Sequence, residues 1–73
     1  MPRGITKEKV REALDMKWRS TNELKDMLAE RGYPAHWYTI MRRLTELEKE
    51  GLAESIDFKG MVCWRQADNS LQI

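Results

Sequence analysis

Within these 73 residues, the side chains best suited to recognising another molecule fall at helical spacing. Ala35, Tyr38, Thr39, Arg42 and Glu46 recur every three to four positions, and His36 and Arg43 lie on their flank. At about 100° per residue they occupy one side of a helix whose other side carries Trp37, Ile40, Met41, Leu44 and Leu47. A guanidinium fork, a threonine hydroxyl and a phenol on the exposed first half of a helix match the hydrogen-bonding edges of bases and the oxygens of phosphates. The bland reading of the same face is a solvated one.

Other chemistry finds little support. His36 is the only histidine, and no Asp, Glu or Cys stands near it at metal-ligand spacing. Cys63 is the only cysteine, which rules out an internal disulfide and suits a reducing cytoplasm. There is no phosphate-cradling glycine loop, no Ser/His/Asp set and no pair of carboxylates at catalytic spacing. The expectation is a protein that is not an enzyme, with no cofactor, no metal and no small-molecule site.

Composition sets the frame for the elements. Hydrophobic residues at 41% and charged residues at 34% describe a soluble globular chain with one small core rather than a disordered one. No apolar run is long enough for a membrane span, and MPRGITKEKV lacks the apolar segment of a secretory leader. The net charge is only +1, low for a nucleic-acid binder, but it is unevenly placed. Residues 1–19 hold six basic and three acidic side chains, a net of +3, and residues 33–45 hold Arg42 and Arg43 with no acid. Glu46, Glu48, Glu50, Glu54 and Asp57 follow, so one basic and one acidic face are expected.

Local signals place the elements. Thr6 is a good N-cap for a first helix, with Ile5 and Val10 spaced as a hydrophobic staple. Lys17-Trp18-Arg19 reads as a brief strand. Ser20-Thr21-Asn22-Glu23 is a capping box for a second helix that buries Leu24, Met27 and Leu28 and ends at Gly32. Pro34 suits the first turn of a third helix over 34–50, so the two helices are joined by a short glycine-containing turn. After Gly51 the period changes from 3.6 to 2, and Leu52–Phe58 and Met61–Arg65 read as a hairpin turning near Lys59-Gly60, its register left open. Trp37 and Trp64 are expected in the core, and Trp18 either against the hairpin or exposed. The chain is read as a single domain, 1–73, with an ordered core over about 5–66 and a frayed tail over 67–73.

Helix, brief strand, helix, turn, helix, two-stranded hairpin resembles the winged helix-turn-helix domain, a mainly α fold with a small β-hairpin in the order α1-(β1)-α2-α3-β2-β3. Ser20-Thr21-Asn22-Glu23-Leu24 looks like the start of that family's second helix. Arg42 through Leu52 looks like the end of its recognition helix running into the wing, where L-x-x-L-x-x-x-G-L is habitual. Trp64-Arg65 sits where the returning wing strand packs on the core. Among small bacterial, phage and plasmid regulators, the fimbrial-operon regulators of the PapI and FaeA kind are the nearest comparison, through Leu47–Gly51 and the Gly60–Trp64 wing. Binders of left-handed DNA with this fold are a poor match: Met41 and Thr45 stand where they carry Asn and Tyr, and their proline-rich wing is missing.

The resemblance implies double-stranded DNA as partner, with the third helix in the major groove. The positions that match are Ala35, His36, Tyr38, Thr39, Arg42 and Arg43. Arg42 is the candidate for a bidentate contact to guanine. Arg43 and His36 are placed for phosphates, and Tyr38 and Thr39 for phosphate oxygen or a thymine methyl. Thr21, Asn22 and Lys25 lie at a helix start, where free amides favour phosphate. Lys59, at the tip of a wing over 56–62, is placed for the backbone or minor groove. So few phosphate contacts imply a homodimer or a protein partner on DNA, with helix one or Leu71 and Ile73 as the candidate contacts. The alternative is a winged-helix adaptor, assembly factor or phage-encoded inhibitor that binds protein and does not read DNA.

Overall fold

The computed structural model describes residues 5–67, and the expected tail contacts Leu71 and Ile73 lie outside them. Three helices, α1 (Lys7–Ala13), α2 (Thr21–Glu30) and α3 (Trp37–Lys49), alternate with β1 (Arg19–Ser20), which precedes α2, and the hairpin β2 (Ala53–Phe58) and β3 (Met61–Gln66). The strands form one antiparallel sheet in the order β1-β3-β2. No helix among the described residues is long and apolar enough to cross a membrane.

Each boundary has a local cause. The Thr6 hydroxyl accepts from the Lys9 amide, and Ile5 and Val10 are both buried, which completes the staple. The Ser20 hydroxyl accepts from the Glu23 amide at 3.1 Å. The reciprocal half of the expected capping box is absent, because the Glu23 carboxylate is held by Arg19 Nη1 at 2.6 Å instead. α2 and α3 end alike. The Tyr33 amide reaches the Leu28 carbonyl, and the Leu52 amide the Leu47 carbonyl, across Gly32 and Gly51 at φ of 91° and 79°. These are Schellman caps, which need the left-handed conformation glycine adopts without cost.

Two expected boundaries move. β1 begins at Arg19 rather than Lys17, because the Asp15 carboxylate accepts from the Lys17 amide and bends the chain there. α3 begins at Trp37, not Pro34, because His36 is its N-cap and still extended, at φ −68° and ψ 150°. The turn between α2 and α3 is therefore Arg31–His36.

The hairpin register is set by its two-residue turn. Phe58 pairs with Met61, and Lys59 and Gly60 both have positive φ, 54° and 80°, as a type I′ turn requires. Asp57 Oδ1 accepts from the Gly60 amide and braces the turn. Trp64 reaches inward from β3 to join Val10, Leu24, Leu28, Ile40, Leu44 and Leu47, the side chains most fully removed from water. α3 lies across this core with one face out.

Candidate nucleic-acid interface

The start of α3 differs from the other two helix starts. α1 and α2 each have a side-chain cap and an acid in the first turn, Glu8 and Glu23. α3 has neither. Its first backbone N–H groups, at Trp37, Tyr38 and Thr39, point out of the helix with no cap, and the partial positive charge of the helix end is not offset. Such an end is disposed to hold an anion. Lys25 lies beside it: Lys25, Pro34, Ala35 and His36 line a shallow depression of about 410 Å³.

The cations divide into two groups. Arg19 joins Asp15 and Glu23, Arg65 joins Glu54, and Lys7 donates to Glu50, which raises the Lys7 pKa above its ordinary 10.5. By contrast Lys25, Arg42 and Lys59 form no ion pair among the described residues, and neither do Arg11, Lys17, Arg31 and Lys49. Arg42 is exposed on α3, one helical turn below the uncapped start. Glu46, four residues on, does not claim it, because Arg43 Nη1 holds the Glu46 carboxylate at 3.2 Å. Lys59 Nζ stands 5.5 Å from the centre of the Phe58 ring at the hairpin tip.

The structure places the expected contact residues differently from one another. Tyr38 is the most exposed of the large hydrophobic side chains, at 81%. Thr39 is half-buried beside it, and Asn22 and His36 are exposed. Three others turn inward. Thr21 is only 4% exposed, and its hydroxyl accepts from the buried Trp64 Nε1 at 3.0 Å, so its side chain serves the core. Ala35 packs against the core because the chain is still approaching the helix there. Arg43 donates from Nε to the Ile5 carbonyl at 2.8 Å as well as to Glu46, so it ties α3 to the start of α1.

Trp37 corrects a second expectation. It is 40% exposed rather than core. Its spacing from Ile40 and Leu44 puts it on the buried stripe, but at the first helical position the core has already ended beneath it. It overhangs an open groove of about 410 Å³ with Asn22, Met41 and the Gly60–Val62 stretch, and meets Tyr38 edge-on at 5.8 Å between centroids. The groove brings the start of α2, the start of α3 and the hairpin tip to one side of the molecule. Only its place at the helix start, outside the stripe's interior, distinguishes Trp37 in the sequence.

No family profile matches the sequence, and no curated protein matches it. Among solved structures, the chain resembles a crystal structure of the ferric uptake regulator (Fur) of Vibrio cholerae, described for the rearrangement of its DNA-binding domains. The TM-score is 0.78 at 19% identity, over 96% of this chain and 56% of that one. The chain thus spans little more than half the length of that regulator. At this identity the likeness establishes the fold, a winged helix-turn-helix of three helices and an antiparallel hairpin.

Proposed function

We propose that the chain binds double-stranded DNA sequence-specifically as a small cytoplasmic transcriptional regulator, with α3 in the major groove and the hairpin as a wing on the backbone or minor groove. The observation that carries the reading is the start of α3: uncapped, free of acid, next to Lys25, and followed by an unpaired Arg42. The amides and Lys25 meet phosphate and fix the helix in register, while Arg42 and Tyr38 reach base edges. Lys59 adds a backbone contact at the wing tip. The fold is shared with a DNA-binding regulator, and that likeness supports the proposal without specifying a sequence. Kinship with the fimbrial-operon regulators is part of the same proposal, as are a single domain over 1–73, a non-catalytic role and action on DNA as two copies.

A second reading has its own observation. Trp37 and Tyr38 are exposed beside the groove, and the net charge is only +1, which suits an adaptor that grips a protein through α3 and the wing. Salt separates the two. DNA binding should weaken steeply as salt rises, since each phosphate neutralised contributes about one to the slope of log affinity against log salt. Lys25→Ala and Lys59→Ala should each lower that slope by about one and weaken all sequences alike. Arg42→Ala should instead reduce discrimination at one base pair by about 1–3 kcal/mol. If a mixed duplex at low salt leaves the amide resonances of residues 36–42 and 59 unmoved, the DNA reading fails and the adaptor reading stands.

A further inference from the structure

Cross-strand register sorts the hairpin side chains onto two faces. Ser55 opposite Trp64 and Asp57 opposite Val62 share the face turned toward the helices, where Trp64 is buried. Ile56 opposite Cys63 and Phe58 opposite Met61 share the other. A sheet face open to water normally carries polar side chains. Here Ile56 is 45% and Phe58 58% exposed, and both line a groove of about 460 Å³ with Trp18 and Cys63.

We propose that this outer face is where two copies of the chain pair, sheet against sheet about a two-fold axis. The inference deepens the two-copy action suggested above, but its observations are independent of DNA. An aromatic side chain carries roughly 150–250 Å², so Trp18, Ile56 and Phe58 at their exposures leave on the order of 300 Å² of apolar surface, at the scale that marks an interaction site. Two such faces and their polar rims reach about 1,000 Å², the least a specific interface needs.

Charge selects the occupant. In a two-fold contact the same face meets itself, so a face of one net sign repels its copy. This face is balanced from within: Arg65 Nε binds Glu54 Oε1 at 2.7 Å, and the same guanidinium lies 4.5 Å over the Trp18 ring. A strongly acidic or basic partner finds no complement there, whereas a second copy meets an apolar centre with a neutral rim. Pairing through this side also leaves Tyr38 and Arg42 uncovered, because the helices lie on the opposite side of the sheet.

Sedimentation equilibrium without DNA, from micromolar to millimolar concentrations of the 73-residue chain, tests the proposal. The wild type should pass from monomer to dimer. Phe58→Glu should weaken association by more than about tenfold, since a carboxylate would be buried unpaired, with an unchanged circular dichroism spectrum. A wild type that stays monomeric throughout overturns the proposal, and so does a folded Phe58→Glu that dimerises equally well. Cys63 gives a second readout, because maleimide labelling should slow as protein concentration rises. Slow labelling that ignores concentration, and is relieved by Leu71→Asp with Ile73→Asp, assigns the face to the chain's own end and also overturns it. None of these outcomes depends on whether α3 reads DNA.

Discussion

Thr21 is the one buried polar residue among the described residues, and it links three elements. Its hydroxyl accepts from Trp64 Nε1 and lies 3.7 Å from the Met41 sulfur, so a single oxygen joins α2, α3 and β3. Thr21→Val keeps the shape and removes the acceptor, leaving the indole N–H buried without a partner. The expected loss is about 1–3 kcal/mol of unfolding free energy in urea, with Thr21→Ser recovering most of it. In the sequence, Thr21 reads as the exposed first residue of a helix, because its partner is 43 positions away. Arg43 was equally hidden, since the carbonyl that claims it belongs to Ile5. Arg42, its neighbour, was legible: opposite the buried stripe, no distant group competes for it.

At the level of elements, the well-read features are those decided within a few residues. Thr6, Ser20, Gly32 and Gly51 fix helix ends through bonds spanning three to five positions, and the Lys59-Gly60 turn fixes the hairpin. The start of α3 reads three residues early in the sequence because no side-chain cap announces it, and that same lack is what makes it a candidate anion site. The junction between α1 and α2 depends on Arg19, which joins Asp15 at 2.8 Å to Glu23 at 2.6 Å. The Arg19 guanidinium, with help from the Lys17 backbone amide, holds the Asp15 carboxyl below its ordinary 3.8. A depressed carboxyl stabilises the fold fully above that ordinary value, and the contribution disappears as pH falls through the lower folded value. Asp15→Asn should therefore lower the urea midpoint at neutral pH. The gap to wild type should close as a series of melts is taken into acid.

Over the whole molecule, three surfaces point in different directions. The start of α3 and the hairpin tip bound one groove, the outer sheet face carries the apolar patch, and the paired cations of α1 and β1 lie between elements. A chain with a net charge of +1 can still present a locally basic surface, because Arg42 and Lys59, with Lys25 beside the start of α3, form no ion pair among the described residues. Where the charges lie, rather than how many there are, decides what the surface attracts. Lys59 exposes a tension in this arrangement. It is the only non-glycine residue among those described with positive φ, at 54°, a conformation that Asn or Gly fills with less strain. Lys59→Asn should raise the melting temperature by relieving part of the roughly 1–2 kcal/mol that the left-handed conformation costs, while lowering the salt slope of DNA binding by about one. Selection for thermal resistance alone would thus discard this lysine, whereas selection for grip on a polyanion would retain it, so the identity of residue 59 in variants of this chain reports which pressure they were under.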